Sequence, residues 1–136
     1  MQNLQLRDKM FLPEFDRQYL TEKGYTFEEK VEGNQNGLII RNWLLPKDKY
    51  NVEQSDLLIL IPKGYPDVKP DMWYFYPAIL LKPNNTHARQ TQCSISFEGK
   101  SWQRWSRHFQ ANEWRSGIDG LHTYLQKVIT ALEIAQ

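Results

Sequence analysis

Ser55-Asp-Leu57-Leu58-Ile59-Leu60-Ile61-Pro62-Lys-Gly64-Tyr65-Pro66-Asp-Val-Lys-Pro70-Asp-Met72-Trp73-Tyr74-Phe75-Tyr76-Pro77 is the stretch on which the fold turns. Leu57 to Ile61 is aliphatic without a break, so both faces are apolar and the run reads as a central strand. Pro62 ends it, and Gly64, Pro66 and Pro70 punctuate the connection that follows. Met72 to Ile79 is then a second, aromatic strand, with Pro77 marking an edge or a bulge. The spacing favours antiparallel neighbours.

Upstream, Leu38 to Leu45 is a strand stopped by Pro46, and Lys47 to Gln54 is a polar connection. Tyr25 to Val31 alternates, and Gly33-Asn-Gln-Asn-Gly37 is a dense turn signal behind it. Before these strands the pattern predicts a helix from about Pro13 to Lys23. Pro13 suits its first turn, Phe15, Tyr19 and Leu20 share a side, and Gly24 is a natural stop.

Downstream, periodicity fails from Leu81 to Trp114, a length of irregular chain that in compact domains is usually functional. Its cations are Lys82, Arg89, Lys100, Arg104 and Arg107, with Arg115 just beyond, against only Glu98 and Glu113. A helix is predicted from Ser116, where Ile118, Leu121, Leu125, Val128, Ile129 and Leu132 mark one face. Ser116 with Asp119 resembles a capping box. The expected architecture is α+β, with an N-terminal helix, a four-stranded antiparallel meander and a C-terminal helix.

The chain has 136 residues, the size of one domain, and no repeat or linker divides it. One domain over 1–136, with its core at about 13–134, is therefore expected. Hydrophobic residues at 40% and charged residues at 24% exclude a disordered or low-complexity chain. A net charge of +1 provides no field to attract nucleic acid or an anionic membrane, and neither is expected as a partner. Five Trp and seven Tyr suit a packed small core or a recognition surface. The single cysteine, Cys93, excludes an internal disulfide. The first residues lack the apolar region of a signal peptide, and no apolar run is long enough to span a bilayer, so a cytoplasmic protein is expected.

Cys93 is the first candidate for chemistry, because a thiol among basic side chains can ionise and attack as thiolate. It can equally be a small residue with no reaction. His87 and His108 are candidates to orient or deprotonate a nucleophile, although isolated histidines usually serve packing or the surface. His87, Cys93 and His108 show no metal-ligand spacing, so no metal is expected, and no nucleotide or cofactor motif is present. Trp102-Gln-Arg-Trp-Ser-Arg-His108 interleaves rings with cations as single-strand nucleic-acid grooves do. Its plainer reading is a short helical turn, with Trp102 and Trp105 packed on the sheet and Arg104 and Arg107 in water.

Taken together, the spaced motifs resemble the ubiquitin-conjugating enzyme superfamily. Tyr65-Pro66, a spacer and Pro70 stand where that superfamily turns its third strand into its fourth. Lys82-Pro83-Asn84 falls where it has a His-Pro-Asn motif, and Cys93 follows Asn84 by nine residues, close to the usual step to its cysteine. Gly64-Tyr-Pro-Asp, Pro70-Asp-Met-Trp, Trp102 to His108 and Trp114-Arg-Ser-Gly-Ile-Asp-Gly-Leu121 resemble a bacterial branch, the prokaryotic ubiquitin-conjugating-like family E.

This resemblance implies a carrier. Such proteins accept the activated C-terminus of a ubiquitin-like protein from an activating enzyme, as a cysteine thioester, and pass it to an amine. Partners implied are the ubiquitin-like protein, the activating enzyme and a deconjugating peptidase of the same pathway. Cys93 would be the acceptor, Asn84 the oxyanion donor and His108 an auxiliary. No cofactor is implied. Asp119 is a conceivable orienting acid but suits a helix cap better. Lys82 departs from the motif's histidine, and Trp102 and Trp114 compete for one family position. Thr86, Thr91 or Ser94 could carry an oxyester in place of the thioester, given a base such as His87 or His108. The alternative is a non-catalytic variant that binds a ubiquitin-like protein or a partner enzyme.

Overall fold

The computed structural model describes residues 10–108 and 113–136. Helix α1 spans Glu14–Glu22 and helix α2 spans Leu121–Ile134. Between them lie β1 (Thr26–Glu32), β2 (Gln35–Leu44), β3 (Gln54–Ile61), β4 (Trp73–Tyr76), β5 (Ser94–Phe97) and β6 (Lys100–Trp105). All six strands form one antiparallel sheet in the order β1-β2-β3-β4-β6-β5.

The expected meander is present as β1 to β4, but it is not the whole sheet. A hairpin, β5–β6, extends it through the pairing of β6 with β4, inside the segment whose sequence lacks a period. Its two-residue turn places Glu98 (φ 57) and Gly99 (φ 68) in the left-handed region, the geometry that matches the twist of paired strands. Trp102 to Trp105 is thus strand and not a helical turn. Strand alternation sends Trp102 and Trp105 to opposite faces, where both are fully buried.

Leu57, Ile59 and Ile61 of β3, with Trp73, Phe75 and Trp105, meet the helices. From α2 come Leu121, Tyr124, Leu125, Val128 and Leu132, and from α1 comes Leu20. The opposite face buries Ile39, Leu58, Tyr74, Phe97 and Trp102. Among the described residues no helix side chain joins this cluster. The sheet curls so that the hairpin tip reaches its far edge, where Glu98 pairs with Lys30 and, at 3.1 Å, with Arg41. Arg41 also pairs with Asp56 at 3.0 Å, beside a bulge in β2 where Asn42 takes φ 55. Burial alone would raise the Glu98 carboxyl, yet its bonds with Lys30 and Arg41 outweigh it and hold the pKa at about 2.

The helix boundaries also differ from the periodic reading. α2 starts at Leu121, not Ser116, with Gly120 as N-cap and the Thr123 hydroxyl accepting the Gly120 N–H at 3.1 Å. Ser116 instead bonds Asp67, and Ile118 lies outside the helix and exposed. Phe15 is likewise exposed on α1, while Leu20 is buried. Gly33 and Asn34 alone make the β1–β2 turn, because β2 has already begun at Gln35. None of the helices is long and apolar enough to cross a membrane among the described residues.

Candidate functional site

Among the described residues, two regions bring candidate side chains or exposed apolar side chains to a cavity. The first is built on the return of the chain from the meander to the hairpin. Leu81 and Thr86 bond each other's backbone at 2.7 and 3.1 Å, closing a small turn over residues 82–85. Asn84 is exposed within that turn. Residues 90–93 then run beside the end of β6, with the Arg104 N–H donating to the Cys93 carbonyl at 2.8 Å and the Ser106 N–H to the Gln90 carbonyl at 3.0 Å.

Cys93 is exposed immediately before β5 and lines a cavity of about 130 Å³ with Gln90, Gln92, Arg104 and Ser106. Asn84 does not line it. His108 lines an adjoining cavity of about 590 Å³ that shares Gln90 and Ser106, and its Nδ1 lies 3.0 Å from Asp71 Oδ1. Cys93 and His108 therefore come to neighbouring cavities, with the imidazole engaged by Asp71, while Asn84 stays in its own turn. Of the candidate hydroxyls, Thr86 and Ser94 are exposed. Thr91 is buried and donates to the Ala88 carbonyl at 2.7 Å, which leaves it a structural role. His87 is exposed.

The second region joins the start of α1, the Tyr65–Pro66 corner and the approach to α2. The Tyr65 hydroxyl donates to the buried Asp16 carboxylate at 2.6 Å. Burial raises the Asp16 carboxyl above its ordinary value, with the Tyr65 bond partly offsetting it. Trp114 Nε1 donates to the Pro66 carbonyl at 2.9 Å, and Ser116 bonds Asp67, clasping residues 114–116 to the corner. Asp119 accepts the Arg115 N–H at 2.7 Å, which lowers its carboxyl and braces the approach to α2. A pocket of about 300 Å³ opens here, with Phe15 and Ile118 on its lining at 63% and 58% exposure. His122 lines it too, its ring edge-on to Phe15 and its buried Nδ1 unpartnered. Sequence reading overlooked this pocket because its walls lie some 50 and 100 residues apart along the chain, at Asp16, Pro66 and His122.

Trp102 and Trp105 offer no ring to a base, since both are fully buried. That removes the stacking platform on which a nucleic-acid groove at this motif depends. Among the described residues no group of His, Cys, Asp or Glu side chains could hold a metal ion.

Helices flanking a curved antiparallel sheet are consistent with a ubiquitin-conjugating-like fold. The profile of prokaryotic E2 family E matches residues 12–135, and the chain belongs to that family. Comparison with curated proteins and with solved structures gave no match.

Proposed function

We propose that the chain is a non-catalytic ubiquitin-conjugating-like protein that binds a ubiquitin-like protein or a partner enzyme in a bacterial ubiquitin-like pathway. The observation that carries this reading is the pocket of about 300 Å³ flanked by exposed Phe15 and Ile118. Two large apolar side chains held in water beside a concavity, on the clasped α1–corner–α2 junction, give a partner something to bury. Membership of prokaryotic E2 family E supports the pathway.

The second reading is the carrier, favoured by one observation: Cys93 is exposed at a cavity wall, where an acyl donor can reach it. A thiolate there would attack the activated C-terminal carbonyl and expel its previous carrier. Asn84 would serve as oxyanion donor only if its turn moved to the cysteine.

Both readings are tested by mixing the protein with the activating enzyme and ubiquitin-like protein encoded alongside family members, with ATP, and weighing the products with and without thiol. The binding role predicts a non-covalent complex without adduct, weakened by Phe15→Glu and Ile118→Glu. A thiol-sensitive adduct that Cys93→Ala abolishes would establish the carrier instead.

A further inference from the structure

The sheet order leaves β1 and β5 as its outer strands. Each is joined to its neighbour by a two-residue turn, so the register fixes which backbone groups point outward. In the β5–β6 hairpin Phe97 opposes Lys100 and Ile95 opposes Trp102 as hydrogen-bonded pairs, and the Arg104 N–H at the Cys93 carbonyl continues the ladder. The N–H and C=O of Ser94 and Ser96 therefore face away from β6. Among the described residues none of these groups meets a hydrogen-bond partner, and both serines are exposed. The open edge stops at the turn, where the Glu98 N–H donates to the Glu32 carboxylate at 3.2 Å. Charge guards one outer strand and not the other. β1 carries Glu28, Glu29, Lys30 and Glu32, the kind of residues that keep an edge from pairing with another chain, whereas Ser94-Ile95-Ser96-Phe97 carries no charge and no proline.

We propose that β5 pairs with β5 of a second copy of this chain, antiparallel about a two-fold axis at Ile95, to make one continuous sheet across two molecules. Among two-fold registers only this one gives each outward residue an outward partner. Ser94 exchanges both backbone bonds with Ser96 of the other copy, and Ser96 with Ser94. An axis at Ser96 would set Ser94 opposite Glu98, whose N–H is already bonded to Glu32, and an axis at Ser94 would set Ser96 opposite Gln92, outside the strand. Ile95 then meets its own copy at a non-hydrogen-bonded position, where side chains approach closest. It is half-buried against the cluster of Phe97 and Trp102, so the contact extends that apolar face from one molecule into the next. β1 cannot pair in this way, because a two-fold axis at Glu28, Glu29 or Lys30 sets like charges face to face. The paired residues line neither the pocket at Phe15 and Ile118 nor the cavity at Cys93, so the inference is independent of both readings of function.

Sedimentation equilibrium of the chain alone, over a concentration series, tests this. The average mass is expected to rise towards twice that of one chain. Ser96→Pro removes an outward N–H that bonds nothing within the chain, so the fold should be kept while the mass falls to that of a monomer. Val31→Pro removes the corresponding outward N–H on β1 and should leave the dimer unchanged. Circular dichroism checks that each variant is folded. Ile95→Cys in a Cys93→Ser background should form an intermolecular disulfide on mild oxidation, because residues facing each other across the axis stand within disulfide reach. Val31→Cys in the same background should not. A chain that stays monomeric throughout the series, leaving the edge to a strand of another protein, would overturn the proposal. So would a dimer that survives Ser96→Pro, a dimer lost equally in Val31→Pro, or an Ile95→Cys chain that does not cross-link.

Discussion

Gly37 of β2 lies under the ring of Phe97 of β5, so close that a Cβ on Gly37 would stand 2.8 Å from Phe97 Cε1 and 3.0 Å from Leu58 Cδ1. The two strands are far apart in the sheet order, and only its curl brings them together. The missing side chain is what lets Phe97 seal the face opposite α1 and α2. Gly37→Ala should therefore destabilise by roughly 1–3 kcal/mol, through overpacking against two buried side chains. Urea unfolding measures it. Phe97→Leu in the same chain should recover part of the loss, and strict additivity of the two changes would show that the contact does not matter.

Glu98 fastens the same closure by charge. Its carboxyl, held at about 2 by Lys30 and Arg41, ordinarily titrates in an unfolded chain near 4.5. The folded value is the lower one, so its stabilisation is complete above about 4.5 and is lost as pH falls towards about 2. Glu29, lowered by Arg17 and the N–H groups of Leu12 and Phe11 against the effect of burial, acts in the same direction. Asp16 acts in the opposite one, because burial raises it. Glu98→Gln should cost roughly 1–3 kcal/mol at neutral pH and flatten the decline between pH 5 and 2. An unchanged acid profile in that variant would remove Glu98 from the account.

Gln103 is a buried amide that does three jobs. Its Oε1 accepts the Ile79 N–H at 2.9 Å and the Trp105 indole at 3.0 Å, while its Nε2 donates to the Ile79 carbonyl at 3.1 Å. The bonds tie the chain after β4 to β6. Gln103→Leu keeps the bulk but strands buried donors and an acceptor, at a cost of roughly 1–3 kcal/mol or more. A loss in denaturant midpoint of that size, with the slope unchanged, is the expected result.

Cys93 is exposed, so its thiol should react with Ellman's reagent in the native protein as fast as in urea. Cys93→Ser should alter stability by less than about 0.5 kcal/mol, since no packing is lost. Slow native reaction would contradict the exposure on which the carrier reading depends.

How far could the residues alone lead? The unbroken Leu57–Ile61 run announced a central strand, the Leu121–Leu132 period announced α2, and Pro13 with Gly24 bracketed α1 closely. Those signals are local: each element's own period records which of its faces meets the core. The ordered Tyr65-Pro66, Pro83-Asn84 and Cys93 pointed to the superfamily, and Gly64 to Asp67, Pro70 to Trp73, Trp102 to His108 and Trp114 to Leu121 to the family that residues 12–135 match.

Tertiary structure decided the rest. The β5–β6 hairpin was invisible because both its faces are partly buried, so Trp102 and Trp105 mimic a helical spacing while pointing to opposite sides. Its turn is Glu98-Gly99, and Glu lacks the Asn or Asp preference that makes such turns legible. What stabilises that turn is Lys30 and Arg41, 68 and 57 residues away. The same holds for function. Sequence could name Cys93, Asn84 and His108, but only folding could place Asn84 in a separate turn, engage His108 with Asp71, and line one cleft with Arg89, Arg107 and Lys127. Periodicity records how an element meets the core, whereas sites are made where elements distant in the chain meet each other.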